Sequence, residues 1–180
     1  VTLWHGDCRE VTAWLEADVL VTDPPYGISH SSNFGASWQG TQIANDATTE
    51  ARDMVLLDWT PRPALVFGTW KRPAPLSARA CLVWDKGLAF GMGDLSVPWK
   101  PNHEQVYVIG PGFHGRRDSG VLSGFSHVSW ESKGRGHPHA KPIGLMQHLI
   151  DKCPPGVIAD PFAGSGSTLV AAKQLGRRAI

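Results

Sequence analysis

The segment Asp23-Pro24-Pro25-Tyr26 combines residue types that suit the binding of a planar amine. Its two prolines supply carbonyl oxygens but no N–H groups, so the segment offers hydrogen-bond acceptors beside an aromatic ring. The exocyclic NH2 group of a nucleic acid base has two N–H donors, which Asp23 and the Pro24 carbonyl could accept while Tyr26 stacks on the base. An ordinary proline-rich turn is the alternative interpretation, and the four residues alone do not decide between the two.

A second segment with chemical potential is a glycine-rich turn that follows the apolar residues 157–159. It consists of Asp160, Pro161, Phe162, Ala163, Gly164, Ser165, Gly166, Ser167 and Thr168. Glycines let a backbone approach a ligand closely, and a helix that begins here would offer free N–H groups. The turn lacks the Gly-Lys pair of a phosphate-binding P-loop, and it matches a dinucleotide-binding fingerprint only weakly. A tight turn without a ligand is the alternative.

The third segment is His137-Pro138-His139-Ala140-Lys141-Pro142. Pro142 suits the first turn of a helix, and an apolar stripe follows it at Ile143, Met146, Leu149 and Ile150. Lys141 at the helix entrance could pair with a ligand carboxylate. The histidines have no recognised metal-ligand spacing, so no metal site is predicted. The alternative interpretation is a proline-initiated helix with a polar leader.

Short apolar runs and intervening helical patterns must position these segments. Strands are predicted at 1–4, 19–22, 65–67, 81–84, 106–109, 157–159 and 179–180, and helices at 9–17, 46–58, after Pro142 and at 168–175. Near-continuous apolar runs indicate strands that are covered on both faces, as in a parallel sheet between helices. The alternation predicts an α/β fold, a three-layer sandwich in which ligands bind beyond the carboxyl ends of the strands.

Length and composition limit the class of protein. The chain has 180 residues, 42% of them hydrophobic and 18% charged, which predicts one folded domain over 1–180 and excludes a disordered chain. No apolar run is long enough to span a membrane, so we expect a cytoplasmic protein without membrane association. Three distant cysteines indicate no disulfide framework. The start at Val1 and the end at Ile180, within an apolar segment, lead us to expect a truncated chain.

Positive charge is concentrated late in the chain. Arg116, Arg117, Lys133 and Arg135 lie in a stretch of Gly, Ser and His that has no convincing period. A basic loop of this kind could follow the phosphates of a nucleic acid, since each contact releases counterions. A solvated surface loop is the alternative.

Taken in this order, the motifs resemble the beta group of DNA amino-methyltransferases that use S-adenosylmethionine (AdoMet), in which the catalytic motif precedes the cofactor motif. The resemblance spans nearly the whole chain. Asp23 to Tyr26 resembles the catalytic motif, and the turn at 160–168 resembles the AdoMet loop. Gly6-Asp7-Cys8 and the segment from His137 to Pro142 resemble two further motifs, and segments at Trp84-x-Lys86 and His103-Glu104 resemble later strand motifs.

The resemblance implies a Rossmann-like sheet in circularly permuted order, beginning at the family's third strand and with the last strand cut short. It implies that Asp7 and Cys8 contact the adenine of AdoMet. The residues implied near the rest of the cofactor are Asp23, His137, Lys141, Pro142, Asp160, Pro161, Phe162, Gly164, Ser165, Gly166 and Thr168. Residues 110–136 would form a short target-recognition region.

The activity implied is transfer of a methyl group from AdoMet to the exocyclic amine of a flipped base in double-stranded DNA. Adenine N6 is preferred because the Asp-Pro-Pro-Tyr form is more usual in adenine enzymes of the family, with cytosine N4 as the alternative. A restriction-modification role would use this chemistry, no metal is needed, and a homodimer is left open. Two other hypotheses are a catalytically inactive DNA-binding fragment and a nicotinamide or flavin oxidoreductase, although the latter leaves the Asp23 and His137 segments unexplained.

Overall fold

The computed structural model describes residues 1–29, 31–32, 41–87, 93–125 and 140–180, with the backbone alone at 31–32 and 41–42. Its strands are β1 (Val19–Thr22), β2 (Ser31–Ser32), β3 (Thr41–Gln42), β4 (Ala64–Gly68), β5 (Ala78–Asp85), β6 (His103–Ile109), β7 (Val121–Leu122) and β8 (Ile158–Ala159). Its α-helices are α1 (Glu50–Trp59), α2 (Ile143–Asp151) and α3 (Ser167–Gln174), and a 3-10 helix spans Ala13–Glu16.

Six strands form one mixed sheet in the order β7-β5-β6-β4-β1-β8, while β2 and β3 form a separate antiparallel pair. Strands β4, β1 and β8 are parallel, but β6 is antiparallel to both β4 and β5. The predicted parallel arrangement is therefore confirmed for β4, β1 and β8 and is wrong at β6. Neighbouring antiparallel strands need no helical crossover, so β5 and β6 pair directly across the connection 86–102.

The two ends of the chain lie beside β8. Ala179 pairs with Ile158 in a parallel bridge, and the Thr2 N–H donates to the Ala179 carbonyl oxygen at 2.9 Å. Residues 1–4, predicted to form a strand, do not form one and are joined to residue 179 by one backbone hydrogen bond. The order of the segments across the sheet is that of a permuted Rossmann-like fold.

Helices cover both faces of the sheet, as the apolar strands predict. Alternate residues of β1 point to opposite faces because side chains alternate along a strand. Val19 and Val21 pack with α2 and α3, whereas Leu20 packs with α1 and the 3-10 helix. On the latter side Trp14 and Trp59 stack with ring centroids 6.0 Å apart. The three-layer sandwich is therefore confirmed.

Local sequence signals explain the helices that border the site. Pro142 precedes α2, whose apolar stripe is buried, and Gly176 has a positive φ of 69° just after α3. The prediction at 9–17 yields only the short 3-10 helix, and α1 begins later than predicted, at Glu50. In the described part of the chain, we find no helix with the length and apolarity needed to cross a membrane.

Strand direction determines where the site forms. Strands β1, β4, β5 and β8 all end at one edge of the sheet, called here the carboxyl edge, and the antiparallel β6 begins there. The segments that follow β1 and β8 are Asp23 to Tyr26 and the turn that starts at Asp160. The fold therefore brings the first two predicted motifs to the same edge.

Strand β1 places fully buried side chains on both faces of the sheet, so we expect it to contribute strongly to the free energy of unfolding. Leu20 is fully buried, while Leu57 on α1 is exposed. We expect Leu20→Ala to lower the free energy of unfolding by about 2–5 kcal/mol because it leaves a cavity in a packed core. The matched Leu57→Ala should change it by less than about 0.5 kcal/mol. Urea unfolding of both variants measures this, and equal losses would contradict the described packing.

Candidate active site

A cavity of about 920 Å³ opens at the carboxyl edge. Its wall brings together the turns that follow β1 and β8, the start of β6, and Lys141 just before α2. The lining residues include Asp23, Pro24, Pro25, Tyr26, Glu104, Lys141, Asp160, Pro161, Phe162, Gly164, Ser165 and Thr168. The structure thus joins four segments that are widely separated in the chain.

Four side chains form a compact polar cluster in this wall. The Tyr26 hydroxyl lies 2.8 Å from Asp23 Oδ1 and 3.0 Å from Glu104 Oε2. Lys141 Nζ lies 2.5 Å from Asp23 Oδ2 and 3.1 Å from Glu104 Oε2, and it donates to the Tyr26 oxygen at 3.3 Å. The side chain of Lys141 is only 7% exposed, so its charge is balanced by protein carboxylates.

A second cation completes the cluster. Lys86, directly after β5, forms an ion pair with Glu104 Oε1. Although burial alone would raise it, the charges of Lys141 and Lys86 hold the pKa of Glu104 at about 2. Glu104 is therefore ionised throughout the neutral range.

The pKa of Asp23 is shifted in the opposite direction to that of Glu104. Burial raises the pKa of its carboxyl and the charge of Glu104 adds to that shift, while Lys141 opposes it. Burial and the two carboxylates raise the pKa of Tyr26 well above its ordinary value, so its hydroxyl stays protonated. Burial of Lys141 alone would lower its pKa, but the charges of Asp23 and Glu104 raise it. The cluster then has two negative and two positive charges.

The backbone after Tyr26 is fixed by long-range contacts. The Gly27 N–H donates to Asp46 Oδ1 at 2.6 Å, and the Gly27 carbonyl accepts from Arg72 Nε at 2.7 Å. Gly27 has a φ of 77°, and a Cβ there would lie 2.7 Å from the Thr48 backbone. Only glycine fits this turn, which holds Asp23 to Tyr26 against the cavity.

The turn after β8 is tied to the end of β1. Thr22 Oγ1 donates to Asp160 Oδ1 at 2.6 Å, and the Phe162 N–H donates to the same oxygen at 3.2 Å. Thr168 also hydrogen-bonds this carboxylate. Burial nevertheless raises the pKa of Asp160 to about 6. Gly166, at φ 74°, precedes the first turn of α3, as the predicted glycine-rich turn requires.

Some predicted site residues lie away from the cavity wall. Asp7 is half-buried and accepts three hydrogen bonds from Arg9, which lower its pKa to about 2, whereas Cys8 lines the cavity. Pro142 and Gly166 are not among the residues that line the cavity. His137 lies outside the described residues, as do Lys133 and Arg135.

Arg116 and Arg117 are placed at the opposite edge of the sheet. The Arg116 carbonyl accepts from Lys152 Nζ at 2.6 Å, beyond the end of α2, and the Arg116 side chain is 91% exposed. This segment follows the end of β6, where Ile109 pairs with the first residue of β4. The structure therefore does not bring these two arginines to the cavity.

The sequence predicts no site role for several residues of the wall. Glu104 and Lys86 match family strand motifs, but only the fold shows that Glu104 contacts Tyr26 and Lys141 and that Lys86 pairs with Glu104. Thr22, which lies outside the wall, is a further example, since it is the last residue of β1 and only the fold places it against Asp160. An acid two residues before the apolar run 106–109 of β6 is the one signal that could have identified Glu104.

No group of three or more His, Cys, Asp or Glu residues is arranged to hold a metal ion within the described ranges. The cavity instead presents carboxylates, carbonyl oxygens and aromatic rings. A permuted Rossmann-like sheet with such a cavity at its carboxyl edge is typical of enzymes that bind a nucleotide cofactor at this edge.

Comparison with known proteins gives the family. The model of the DNA methylase family matches residues 71–180. The Escherichia coli K12 protein YubD, which carries a methylase name, is 30% identical over 98% of this chain and 81% of its own length. The chain therefore belongs to the DNA methylase family, the amino-methyltransferases that take AdoMet as methyl donor.

Solved structures agree on the fold. M1.HpyAVI in complex with SAM superposes with a TM-score of 0.66 at 19% identity, over 98% of this chain and 90% of that one. TTHA0409 from Thermus thermophilus, a DNA modification methylase by name, complexed with S-adenosyl-L-methionine, gives 0.55 at 22% identity, over 97% and 85%. The Rossmann-like methyltransferase fold predicted from the motifs is confirmed.

The buried carboxylate of Asp160 should cost stability at neutral pH. Its pKa of about 6 lies above the 3.8 of an exposed Asp, so the folded state binds the proton more tightly than the unfolded state. Stability then falls as the pH rises from about 4 to about 6 and stays low above that range. Asp160→Asn keeps the acceptor for Thr22 and should be more stable by up to about 3 kcal/mol at pH 8.

Urea unfolding at pH 8 and at pH 4 tests this expectation. The stability difference between Asp160→Asn and the unmutated chain should be largest at pH 8 and close to zero at pH 4. A difference of the same size at both pH values would show that ionisation of Asp160 is not the cause.

Proposed function

We propose that this chain methylates the exocyclic amine of a DNA base, with adenine N6 as the target. The observation that supports this most is the placement of Asp23, Pro24 and Tyr26 in one cavity wall with the turn that starts at Asp160. The adenine preference rests on the form Asp-Pro-Pro-Tyr, and cytosine N4 is the alternative. The target base must leave the duplex to reach this cavity.

The residues present fit AdoMet. The cavity volume of about 920 Å³ has room for a nucleotide-sized cofactor and a base. Asp160 offers a carboxylate to a ligand amino group, the Gly164 to Thr168 turn leads into the first turn of α3, and Cys8 and Phe162 supply less polar wall. When bound, AdoMet supplies the methyl group as an already activated sulfonium.

The chain's own residues orient the amine. Asp23 and the Pro24 carbonyl accept its two N–H groups, and the Tyr26 ring packs on the base. The methylated nitrogen must lose one proton, and Asp23 is the nearest carboxylate to receive it. Because burial raises the pKa of Asp23, it accepts a proton more readily than Glu104 does.

We assign Lys141 to the amine side of the cavity rather than to the cofactor carboxylate. Its ammonium lies within hydrogen-bond distance of Asp23, Glu104 and Tyr26, which matches its three N–H donors. It therefore neutralises and orients the acceptor group. This assignment differs from the expectation that Lys141 pairs with a ligand carboxylate.

Product analysis tests the activity and the base together. The protein is incubated with AdoMet and unmethylated mixed-sequence DNA, and nucleosides are quantified by mass spectrometry. We expect N6-methyladenine from the unmutated chain and a loss of at least about 100-fold in Asp23→Ala, because the amine loses its charged acceptor. Asp94→Ala, which removes an exposed carboxylate, is the matched control and should keep full activity.

The outcomes separate the hypotheses. N4-methylcytosine would retain the mechanism and reverse the choice of base. No methylated nucleoside from a folded protein would contradict the proposal and favour an inactive DNA-binding fragment. Equal activity in Asp23→Ala would remove Asp23 from the mechanism.

We further propose that chain 1–180 is one catalytic domain and that DNA lies across its carboxyl edge. Residues 126–139 connect Phe125, whose carbonyl accepts from Trp84 Nε1 at 3.3 Å, with the buried Ala140 beside Lys141. Both ends of this connection lie on the cavity side. We therefore propose Lys133 and Arg135, which belong to this connection, rather than Arg116 and Arg117 for the phosphate contacts.

Salt dependence distinguishes the two basic pairs. We expect the double variant Lys133→Ala/Arg135→Ala to reduce the slope of log Kd for DNA against log salt by about 2, since each lost phosphate contact removes about 0.9. The matched pair Arg116→Ala/Arg117→Ala should leave the slope unchanged. The reverse result would place DNA at the opposite edge of the sheet.

A further inference from the structure

Glu104 is a buried acid beside the catalytic motif. Its side chain is 15% exposed, and its two oxygens have different partners. Oε1 pairs with Lys86, while Oε2 faces both the Tyr26 hydroxyl and Lys141. A carboxylate that served only to neutralise one lysine would not need the second set of contacts.

The Tyr26 hydroxyl has one proton and two carboxylate neighbours. Its oxygen lies 2.8 Å from Asp23 Oδ1 and 3.0 Å from Glu104 Oε2, so either carboxylate can accept that proton. Changing from one acceptor to the other needs only rotation of the O–H bond, without movement of heavy atoms. Lys141 likewise has one N–H for each carboxylate.

Asp23 is the acceptor that the target amine needs. While Tyr26 donates to Oδ1, the amine must compete for that oxygen. If Tyr26 donates to Glu104 instead, Oδ1 is released and Tyr26 stays anchored for stacking.

We propose that Glu104 is a positioning residue for methyl transfer, because it accepts the hydrogen bond of the Tyr26 hydroxyl when the target amine binds Asp23. This inference rests on the proposed function, since it deepens the role of the same cavity. Lys86 supports it by holding Glu104 in place and ionised. No covalent bond breaks in the exchange, and the net charge of the cluster stays the same.

The groups around Asp23 determine how removal of Glu104 would act. Tyr26 and Asp23 come from the segment after β1, Glu104 from β6, and Lys141 from the segment before α2. Asp160, after β8, is a second nearby carboxylate that senses the charge of Asp23. Lys86, after β5, acts through Glu104. Loss of the Glu104 charge therefore lowers the pKa of Asp23, because one of its repulsive neighbours is gone.

The test compares Glu104→Gln with the unmutated chain and with Glu10→Gln, a matched change at an exposed residue. For Glu104→Gln we expect kcat to fall by about 10- to 100-fold, with AdoMet Kd within about twofold of the unmutated value. We also expect the acidic limb of the kcat profile to move to lower pH. A residue that only supports the fold would lower kcat without moving that limb.

A spectroscopic measurement gives a readout that does not depend on methylation. The chain has two tyrosines, so Tyr107→Phe leaves Tyr26 as the single one. In that background, NMR of ring-13C-labelled tyrosine follows Tyr26 ionisation. Glu104→Gln should let Tyr26 ionise at lower pH, because one of the two carboxylates that raise its pKa has been removed.

The results separate the inference from the proposed function. Unchanged kcat and an unmoved acidic limb in Glu104→Gln would overturn the role of Glu104 even in an active methyltransferase. An unchanged Tyr26 titration would overturn the contact itself. Absence of methylated product from the unmutated chain, with the Tyr26 shift present, would instead contradict the proposed function and leave the contact between Tyr26 and Glu104 established.

Discussion

The need to pair buried charges is the constraint on which the site depends. Lys141 is buried, and Asp23, Glu104 and Lys86 are partly buried beside it. A charge held away from water costs several kcal/mol unless a partner of opposite charge lies beside it. The four residues come from the ends of β1 and β5, the start of β6 and the entrance to α2. Their pairing therefore requires that the sheet order bring these points to one edge.

The same edge couples the two predicted ligand turns. Thr22 and Asp23 are neighbours in the chain, yet Thr22 donates to Asp160 while Asp23 pairs with Lys141. The Asp160 carboxylate is thus held by Thr22, the residue that immediately precedes Asp23. A displacement of either turn would disturb the other, which suits a reaction in which two ligands must align.

Sequence patterns predict the strands, helix ends and turns of this structure, because interactions between residues close in the chain determine them. Apolar runs identify the core strands because burial on both faces leaves little choice of residue, and Pro142 and Gly176 mark the limits of the helices that flank the site. The turn at 160–168 and the acceptor segment at 23–26 are recognisable for the same reason, since their glycines and prolines set the backbone.

The remaining features depend on contacts between distant segments. Nothing in the residues of β6 indicates that it runs antiparallel to β4, and the role of Glu104 appears only when that direction places it beside Tyr26. Likewise, the sequence groups Arg116 with Lys133 by composition, whereas the fold separates Arg116 from the cavity by the length of β6. Pairing partners such as Lys141 and Asp23, 118 residues apart, cannot be obtained from spacing.

The most direct test of this account is a double-mutant cycle on Asp23 and Lys141. Unfolding free energies are measured for Asp23→Asn, Lys141→Met and the double variant. If the two charges form the buried pair described, Lys141→Met alone should cost about 3–5 kcal/mol, and the coupling energy should reach about 2 kcal/mol or more because the double variant leaves less unpaired charge. Effects that add to within about 0.5 kcal/mol would contradict the pairing, and with it the claim that this ion cluster positions the acceptor of the amine.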